Sequence, residues 1–503
     1  MQTILAYWRT SLARFPSKPA VVCEGEQYSY ERADELSRSL AAALRERFRL
    51  EPGQPVAVAM PNCIEYFLAY WAIVRAGGIV AAVNARLGPD EMAYVLADTG
   101  AGILLTHGRV RDAVAAGMRG ADNIQHVIVA KGDDGLAFED LLTGTLTQGD
   151  CPRLPEDPAV VAYTSGTTGK PKGAVMRHCD LAFNVKMCLV AHGFRHEDVH
   201  MLALPMFHCT ALYSLLPCSA YLGSTLAIAP RPDQAALLDL IETAKVTTFL
   251  GPPTLFAMLT MGDDLAERDT SSLRYLGYAG SPMHPDTIRR LRELLPHVDL
   301  RNFFGLTETT SVTHVLPGAD ALSHADSVGK PLPEVRAIIA DAEGHPLPPG
   351  ETGELCFHRS NVITGYWRRP GKLEESFRGE WFRTGDLAHT DEDGYLYVHG
   401  REKDVIIVGG ENVIATEVER VIAELEGVRE VAVVGVEATG IRAYLGELVK
   451  AVVVCEEGCD LSERDLKRHC AATLASYQMP QMVEFRDELP RNPAGKVLKR
   501  ELK

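Results

Sequence analysis

Short strand-like runs that end in small, hydroxyl or glycine residues constrain the fold of this chain more than any other feature. Four of them are VVAYTS (160–165), TTFLGP (247–252), RYLGYAG (274–280) and DLRNFFG (299–305). Amphipathic helical patterns alternate with such runs, as in SYERADELSRSLAAALRERF, whose apolar residues fall three and four positions apart. This alternation is typical of doubly wound α/β sheets, in which ligands bind outside the carboxyl ends of the strands. The four runs therefore predict a shared binding site.

The pattern changes twice further along the chain. Between residues 316 and 400, Pro/Gly turns separate short strands, which predicts a β-rich subdomain. After residue 400 the pattern is mixed α+β, and Thr416 with Glu419 predicts a capping box at the start of a helix. A chain of 503 residues also exceeds what one hydrophobic core usually organises. We expect a large α/β N-terminal domain (1–400), with doubly wound subdomains and the β-rich subdomain, and a smaller α+β C-terminal domain (401–503).

Composition excludes several classes of protein. With 51 basic and 67 acidic residues, the chain has a net charge of -16 and lacks the positive field that non-specific nucleic-acid binding needs. The longest apolar run near the N-terminus, YFLAYWAIV (66–74), is about half of the roughly 20 residues that a membrane-spanning helix requires. Eleven cysteines without a C-x-x-C pair predict reduced thiols in a cytoplasmic protein.

The stretch YTSGTTGKPKG (163–173) has the composition of a phosphate-binding loop. It follows a buried strand and precedes a helical stretch, so its backbone amides could converge on an anion. It is not a Walker A motif, because Gly166 is followed by only two residues before Gly169-Lys170, and the chain contains no G-x-G-x-x-G. Taken alone, these residues leave open whether the stretch binds phosphate or is a plain surface connection.

Six further segments accompany this loop in a fixed order. They are LPMFHCTAL (204–212), YAGSPMHP (278–285), NFFGLTETT (302–310), WFRTGDLA (381–388), GREKDVIIVGGENV (400–413) and LPRNPAGKVLKREL (489–502). Together with YTSGTTGKPKG they resemble the core motifs of the AMP-forming adenylate superfamily, which includes acyl-CoA synthetases, peptide-synthetase adenylation domains and luciferases. The resemblance covers nearly the whole chain, and it favours the acyl-CoA synthetase branch.

The resemblance implies two half-reactions at one site. A carboxylate first attacks the α-phosphate of ATP, giving an acyl-adenylate and pyrophosphate, and the thiol of coenzyme A then displaces AMP. Glu308 would bind Mg²⁺, Thr307 the α-phosphate, and Asp386 the ribose hydroxyls. The full set of implied ATP-binding residues is Thr164, Ser165, Gly166, Thr167, Thr168, Gly169, Lys172, Gly280, Ser281, Pro282, Asn302, Phe303, Phe304, Gly305, Thr307, Asp386 and Arg401.

The resemblance also implies which residues change roles between the two steps. Lys496 would bridge the substrate carboxylate and the α-phosphate, and His208 would stand beside the carboxylate. Rotation of a mobile C-terminal domain about a hinge at Lys403 would then bring GGENV to the site. There Gly409, Gly410 and Glu411 would contact coenzyme A. The implied catalytic residues are Lys496, Glu308, His208 and Lys403.

The acid is the least determined part of this interpretation. The pocket is expected to form from residues 184–188, the residues after His208, and residues 251–253, 278–280 and 309–314, which are mostly apolar or small. This composition favours a medium or long fatty acid and argues against malonate-like acids. An aromatic acid, a carnitine-like acid, a carrier-protein acceptor, a luciferase-type oxygenase and an inactive homologue are the alternatives. The expected partners are small molecules, and a homodimer is left open.

Overall fold

The computed structural model divides into two compact units. They are Met1–Arg336 with Phe357–Glu380, and Ala337–Cys356 with Trp381–Lys503. The domain boundary predicted near residue 400 lies inside the second unit and stays a prediction. The structure describes residues 2–132, 135–143, 149–164, 170–281, 283–310, 312–401, 405–408, 411–438, 446–456, 458–459, 461–491 and 497–503.

Helices and strands alternate through the first 300 residues. The helices are α1 Ile4–Arg14, α2 Tyr30–Glu46, α3 Ile64–Ala76, α4 Pro89–Thr99, α5 Arg111–Met118, α6 His178–His192, α7 Leu216–Leu222, α8 Gln234–Ala244, α9 Pro253–Leu259, α10 Asp264–Glu267, α11 Pro285–Leu294, α12 Ala415–Ala423 and α13 Glu463–Ala471. The strands of the first 316 residues are β1 Pro19–Cys23, β2 Glu26–Ser29, β3 Pro55–Ala59, β4 Ile79–Ala82, β5 Ile103–His107, β6 His126–Ala130, β7 Leu136–Ala137, β8 Pro158–Thr164, β9 Lys172–Arg177, β10 Val199–Leu202, β11 Thr225–Ile228, β12 Thr248–Gly251, β13 Tyr275–Tyr278, β14 Asp299–Phe304 and β15 His314–Leu316.

The remaining strands include the predicted β-rich stretch. They are β16 Ser327–Pro331, β17 Ala337–Ala340, β18 Gly353–His358, β19 Phe377–Arg378, β20 Trp381–Thr390, β21 Leu396–Arg401, β22 Ile406–Val408, β23 Glu411–Val413, β24 Val428–Glu437, β25 Glu447–Cys455 and β26 Met482–Phe485. No α-helix occurs among the described residues from 316 to 401, which agrees with the predicted loss of helical periodicity.

One sheet of the first unit has the order β7-β6-β5-β3-β4-β8-β9. Its strands are parallel except for the edge strand β9, which runs antiparallel to β8. Helices α4 and α5 cover β3 and β5 through a shared apolar core that includes Val95, Leu104 and Val114. Every residue of α3 is buried, as expected from its continuous apolar sequence. This sheet supplies the strand before the glycine-rich loop.

The second sheet of this unit carries three of the four strand-like runs. Its order is β16-β15-β14-β13-β12-β10-β11-β1-β2, and the strands from β14 to β1 are parallel. The carboxyl ends of β12, β13 and β14 therefore lie side by side. The fourth run is β8 of the other sheet, so the predicted shared site is assembled from two sheets rather than from one edge.

The second unit combines the order β17-β18-β20-β21 with the hairpin β22-β23 and the sheet β24-β25-β26. Helices α12 and α13 pack on β24 and β25 through apolar residues such as Val418, Val433 and Leu466. The capping box predicted at Thr416 and Glu419 is wrong. The Thr416 hydroxyl donates to the His399 carbonyl, and Glu419 accepts from the Val433 amide at 2.7 Å, because tertiary partners outcompete the local cap.

All eleven cysteines are free thiols, as the sequence predicts. Among the described residues, no helix combines the length and the apolar character that crossing a membrane would need.

Candidate active site

The glycine-rich loop connects two antiparallel strands. Thr164 is the last residue of β8 and pairs with Lys172, the first residue of β9, and its hydroxyl lies 3.4 Å from the Lys172 carbonyl oxygen. The residues between them include Ser165, Gly166, Thr167, Thr168 and Gly169, which lie outside the described residues. The structure thus fixes both ends of the loop and places Lys172 at its exit.

Lys172 is linked to Glu308 through Tyr366. The Lys172 ammonium lies 5.1 Å from the centre of the Tyr366 ring, a cation–π distance. The Tyr366 hydroxyl donates to Glu308 Oε1 at 2.8 Å. A cation from the loop after β8 and a carboxylate from the turn after β14 therefore share one aromatic neighbour.

Backbone hydrogen bonds hold the segment around Tyr366 against both motifs. The Trp367 amide donates to the Gly173 carbonyl at 2.7 Å, and the Ile363 amide donates to the Glu308 carbonyl at 2.8 Å. The Trp367 indole donates to the Thr99 carbonyl at 2.9 Å. Sequence reasoning missed Tyr366, and its signal was weak: a Gly-Tyr pair inside a turn-rich stretch.

Glu308 belongs to a single 3-10 turn, Thr307–Thr309, that follows β14 and Gly305. The Thr309 hydroxyl accepts from the Leu306 amide at 2.9 Å and so fixes the entry to this turn. Glu308 and Thr307 are half-buried, so both remain accessible to a ligand. The turn places the predicted metal and α-phosphate residues directly beyond the carboxyl end of a central strand.

The three predicted ATP-binding residues at the end of β14 differ in their exposure. Asn302 is buried and its amide donates to the Ser327 carbonyl at 3.0 Å. The Phe303 ring packs edge-on against His192 in the interior, whereas Phe304 is half-buried and faces His314. Of these three side chains, Phe304 is the one whose exposure suits stacking on a base.

Gly280 leaves room beside the end of β13. It has a φ of 93°, and a Cβ added there would meet no atom within 4 Å. A flat ring can approach such a backbone closely, and its left-handed conformation favours glycine. Ser281 follows it as an exposed residue, and Pro282 lies outside the described residues.

His208 is half-buried and lies just before a π-helical segment, Thr210–Leu215. Its Nδ1 accepts from the Thr210 amide at 3.3 Å and lies 3.6 Å from the Cys209 sulfur. The neutral ring therefore carries its proton on Nε2, where it can donate to a carboxylate. The Cys209 sulfur raises the pKa of His208 against the lowering effect of burial.

Asn62 holds the loop before His208 in place. Its side-chain oxygen accepts from the Met206 amide at 2.8 Å, and its amide donates to the Leu204 and Ala229 carbonyls. Asn62 is buried, so these hydrogen bonds hold the backbone of the loop from inside the protein. This residue also escaped sequence reasoning.

In the second unit, Asp386 and Arg401 face each other across β20 and β21. Their register is direct, and Arg401 Nε lies 3.1 Å from Asp386 Oδ1. Buried Glu354 on β18 fixes the segment of β20 just before Asp386, accepting from the Gly385 amide at 2.9 Å and from Arg383 Nε at 2.5 Å. The predicted ribose carboxylate is therefore oriented by a second carboxylate that sequence reasoning missed.

The rest of the predicted site is only partly described. Glu411 is an exposed residue of β23. The other predicted residues of the C-terminal part lie outside the described residues: Lys403, Gly409, Gly410 and Lys496. Their assigned roles stay predictions.

The Glu308 carboxylate fits the Mg²⁺ role that the motif implies. Mg²⁺ prefers carboxylate oxygens and keeps several waters, so one half-buried carboxylate next to phosphate is a sufficient protein ligand. Tyr366 engages one oxygen of Glu308 by donating a hydrogen bond, which orients the carboxylate without neutralising it. Lys172 adds a cation over the face of the same Tyr366 ring.

Two family models match the chain. The AMP-binding enzyme model covers residues 8–367, and the model of the AMP-binding enzyme C-terminal domain covers residues 417–496. The chain belongs to the AMP-binding enzyme family. The family, the fold class and the enzyme class predicted from the motifs are thereby confirmed: this enzyme is an acid–thiol ligase that uses ATP and coenzyme A.

Full-length relatives agree with this assignment. A long-chain-fatty-acid–CoA ligase of Escherichia coli O6:H1 is 34% identical, with 100% of this chain and 94% of that protein covered. A feruloyl-CoA synthase of Amycolatopsis is also 34% identical, covering 99% and 98%. The ATP-bound crystal structure of MatB from Rhodopseudomonas palustris superposes with a TM-score of 0.88 at 31% identity, covering 100% and 98%.

Proposed function

We propose that this enzyme is an AMP-forming acyl-CoA synthetase acting on a medium- or long-chain fatty acid. The observation that carries the proposal is the contact chain from Lys172 through Tyr366 to Glu308. It joins the end of the glycine-rich loop to the residues after β14, as a site for a transferred phosphoryl group requires.

Adenylation brings a carboxylate anion against a polyanion, so positive charge at the phosphates is the main requirement. Lys172 and the loop amides would hold the β- and γ-phosphates that leave as pyrophosphate. Glu308 would hold Mg²⁺, which supplies further charge neutralisation when bound. His208 would orient the acid by donating from Nε2, and Lys496 would bridge the carboxylate and the α-phosphate.

Thioester formation needs a different arrangement at the same site, because the thiol approaches where the Lys496 arm lay. We propose that residues after Lys403 rotate and bring Gly409, Gly410 and Glu411 towards the pantetheine of coenzyme A. Glycines there leave space for a narrow chain. Such a rotation belongs to the lid-type motions that gate multi-step enzymes.

The predicted pocket segments support an uncharged acyl chain. Lys186 lies within these segments, but its side chain is exposed and pairs with Glu334 at 2.9 Å, so its charge is directed to the surface. Burial lowers the pKa of His314 to about 3, so that ring is neutral. The Asn184 amide donates to the Tyr213 carbonyl and the Ser214 hydroxyl.

Relatives support two acid classes. The Escherichia coli relative is named for long-chain fatty acids, which favours the aliphatic choice. The feruloyl-CoA synthase, at equal identity, makes an aromatic acid the second candidate. We further propose a cytoplasmic location, since eleven free thiols suit a reducing compartment. A homodimer stays a prediction.

Acid-dependent ATP–pyrophosphate exchange tests this function. A panel of aliphatic acids of increasing length, aromatic acids and carnitine is assayed first, and coenzyme A is then added to the active acids. We expect exchange with medium or long fatty acids and stoichiometric acyl-CoA and AMP after addition. Exchange without thioester would assign the acceptor to a carrier protein, and no exchange with any acid would overturn the proposal.

A further inference from the structure

Three side chains that commonly ligate metals meet beyond the ends of β3 and β5. Cys63 precedes the first turn of α3, Glu65 lies in that turn, and His107 is the last residue of β5. None of them belongs to the nucleotide, acid or coenzyme A residues assigned above. Their ligand atoms all lie within 4.8 Å of one another.

The cluster lies at a topological switch point of its sheet. From β3 the chain passes through α3 to β4 on one side, and from β5 it passes through α5 to β6 on the other. The connections therefore diverge between β3 and β5. At such points open α/β sheets commonly bind ligands beyond the carboxyl ends of their strands.

The three residues are almost completely buried. Cys63, Glu65 and His107 are 3%, 7% and 2% exposed. Tetrahedral coordination at about 2.0 to 2.3 Å puts neighbouring ligand atoms roughly 3.5 Å apart. Side-chain rotations that move each ligand atom by about an ångström would therefore bring the three atoms to coordination distance. A buried set of this kind differs from an acidic cluster on a surface, where water solvates the charges.

One oxygen of Glu65 points to a missing ligand. Glu65 Oε1 lies 3.3 Å from the Lys131 ammonium, but the buried Oε2 has no hydrogen-bond partner among the described residues. An unpartnered carboxylate oxygen in the interior is costly unless a proton or a cation compensates it. The half-exposed Lys131 contacts Oε1, so it does not provide a partner for Oε2.

His107 is already held in place by a neighbouring backbone group. Its Nδ1 accepts a hydrogen bond from the Arg109 amide at 3.0 Å. Coordination of a cation through Nδ1 would replace that hydrogen bond.

We propose that Cys63, Glu65 and His107 form a binding site for a thiophilic divalent cation of the Zn²⁺ class. Cys63 binds as the thiolate and releases its proton, Glu65 binds through Oε2, and water completes the tetrahedron. Thiolate and imidazole ligands exclude Mg²⁺ and Ca²⁺, which prefer oxygen. The cation would cross-link the start of α3 to the end of β5.

Cobalt substitution tests the site with the full-length chain, carrying no histidine tag and no added ATP. Chelator-treated protein titrated with Co²⁺ is expected to bind one equivalent and to show a thiolate-to-cobalt charge-transfer band. The band is expected to disappear in Cys63→Ser and to remain in Cys455→Ser, a matched thiol loss at a half-buried position outside the cluster. A band that survives in Cys63→Ser, or is lost in both variants, would overturn the proposal.

A second measurement needs no variant and so does not depend on how Cys63→Ser folds. X-ray absorption on the Zn²⁺-loaded wild-type chain is expected to show one sulfur neighbour with nitrogen and oxygen ligands. Loading is also expected to raise the melting temperature of the wild-type chain. A zinc environment without sulfur, or no stoichiometric zinc after dialysis, would contradict the site.

Discussion

At the scale of single residues, the Tyr366 hydroxyl fixes the direction in which the Glu308 carboxylate points. Its hydrogen bond leaves the charge of Glu308 intact while restricting its rotation. The same ring lies beneath the Lys172 ammonium. Tyr366 would therefore be a positioning residue for Glu308, which is assigned to Mg²⁺, and for Lys172, which is assigned to the phosphates.

Replacing Tyr366 by phenylalanine should weaken adenylation. A hydrogen bond to a charged group contributes about 1.5–3 kcal/mol, so kcat/KM for ATP–pyrophosphate exchange should fall roughly tenfold or more. The Mg²⁺ concentration for half-maximal exchange should rise in the same variant, which a merely structural loss would not produce. Tyr163→Phe is the matched control, because it removes from β8 a hydroxyl that donates to Asp98 of α4. Equal effects of both variants would refute the role of Tyr366.

His208 should give the reaction a pH dependence. Because the Cys209 sulfur raises the pKa of His208, the cationic ring persists to higher pH than in free histidine. A cationic ring attracts the substrate carboxylate best, so kcat/KM for the acid should decline as pH rises through that pKa. In His208→Gln the decline should vanish in exchange assays run without coenzyme A. If His208→Gln keeps the pH profile of the wild-type enzyme, the proposed contact between His208 and the substrate carboxylate is excluded.

At the scale of secondary-structure elements, strand ends carry most of the site. β8, β13, β14 and β20 each end in, or carry, residues that the motifs single out. Strand β20 shows how one buried acid can shape the backbone next to such a residue. Glu354 on β18 accepts from both Arg383 and Gly385 on β20, and Gly385 adopts a φ of 75°.

Glu354→Gln should therefore impair ATP binding more than catalysis. The glutamine amide keeps the shape of the side chain but removes its negative charge. The half-exposed Arg383 would then face either an NH₂ donor or an uncharged oxygen instead of a carboxylate. We expect KM for ATP to rise roughly three- to tenfold, with a smaller change in kcat, since a partly exposed pair contributes modestly. Glu351→Gln, an exposed acid of the preceding loop, is the control. An unchanged KM in Glu354→Gln would show that Asp386 keeps its orientation without Glu354.

Elements were easier to predict from sequence than contacts between them. The helix at Tyr30–Glu46 and the strands ending at Gly251, Tyr278 and Phe304 follow from periodicity and turn residues, which are local. The capping box at Thr416 failed because the side chain found a partner 17 residues away. Tyr366 and Glu354 were missed for the same reason, since their partners lie 58 and 31 positions away.

At the scale of the whole molecule, the two proposed half-reactions require two arrangements of one chain. The Lys496 arm would serve adenylation, and the segment from Gly409 to Glu411 would serve thioester formation. The roles of these residues are inferred from the motifs alone. A role can be inferred from geometry only where the residue is seen next to its partners in the site. Kinetic measurements of each half-reaction by itself can therefore test these predicted roles.

Lys496→Ala should separate the two half-reactions. Without the bridging ammonium, acid-dependent exchange should fall by a factor of about 10² to 10³, the typical loss of one transition-state charge stabiliser. Thioester formation from supplied acyl-adenylate and coenzyme A should stay close to the wild-type rate. Lys499→Ala, which loses an ion pair with Glu419, controls for damage to the same C-terminal segment. Parallel loss of both half-reactions in Lys496→Ala would contradict two arrangements.

The acyl-adenylate is the central claim, and isotope transfer tests it most directly. A fatty acid labelled with heavy oxygen in its carboxylate is turned over with ATP and coenzyme A, and the nucleotide products are weighed by mass spectrometry. Attack of the carboxylate on the α-phosphate predicts that AMP carries one labelled oxygen. Label in inorganic phosphate with release of ADP, or AMP without label, would contradict the account.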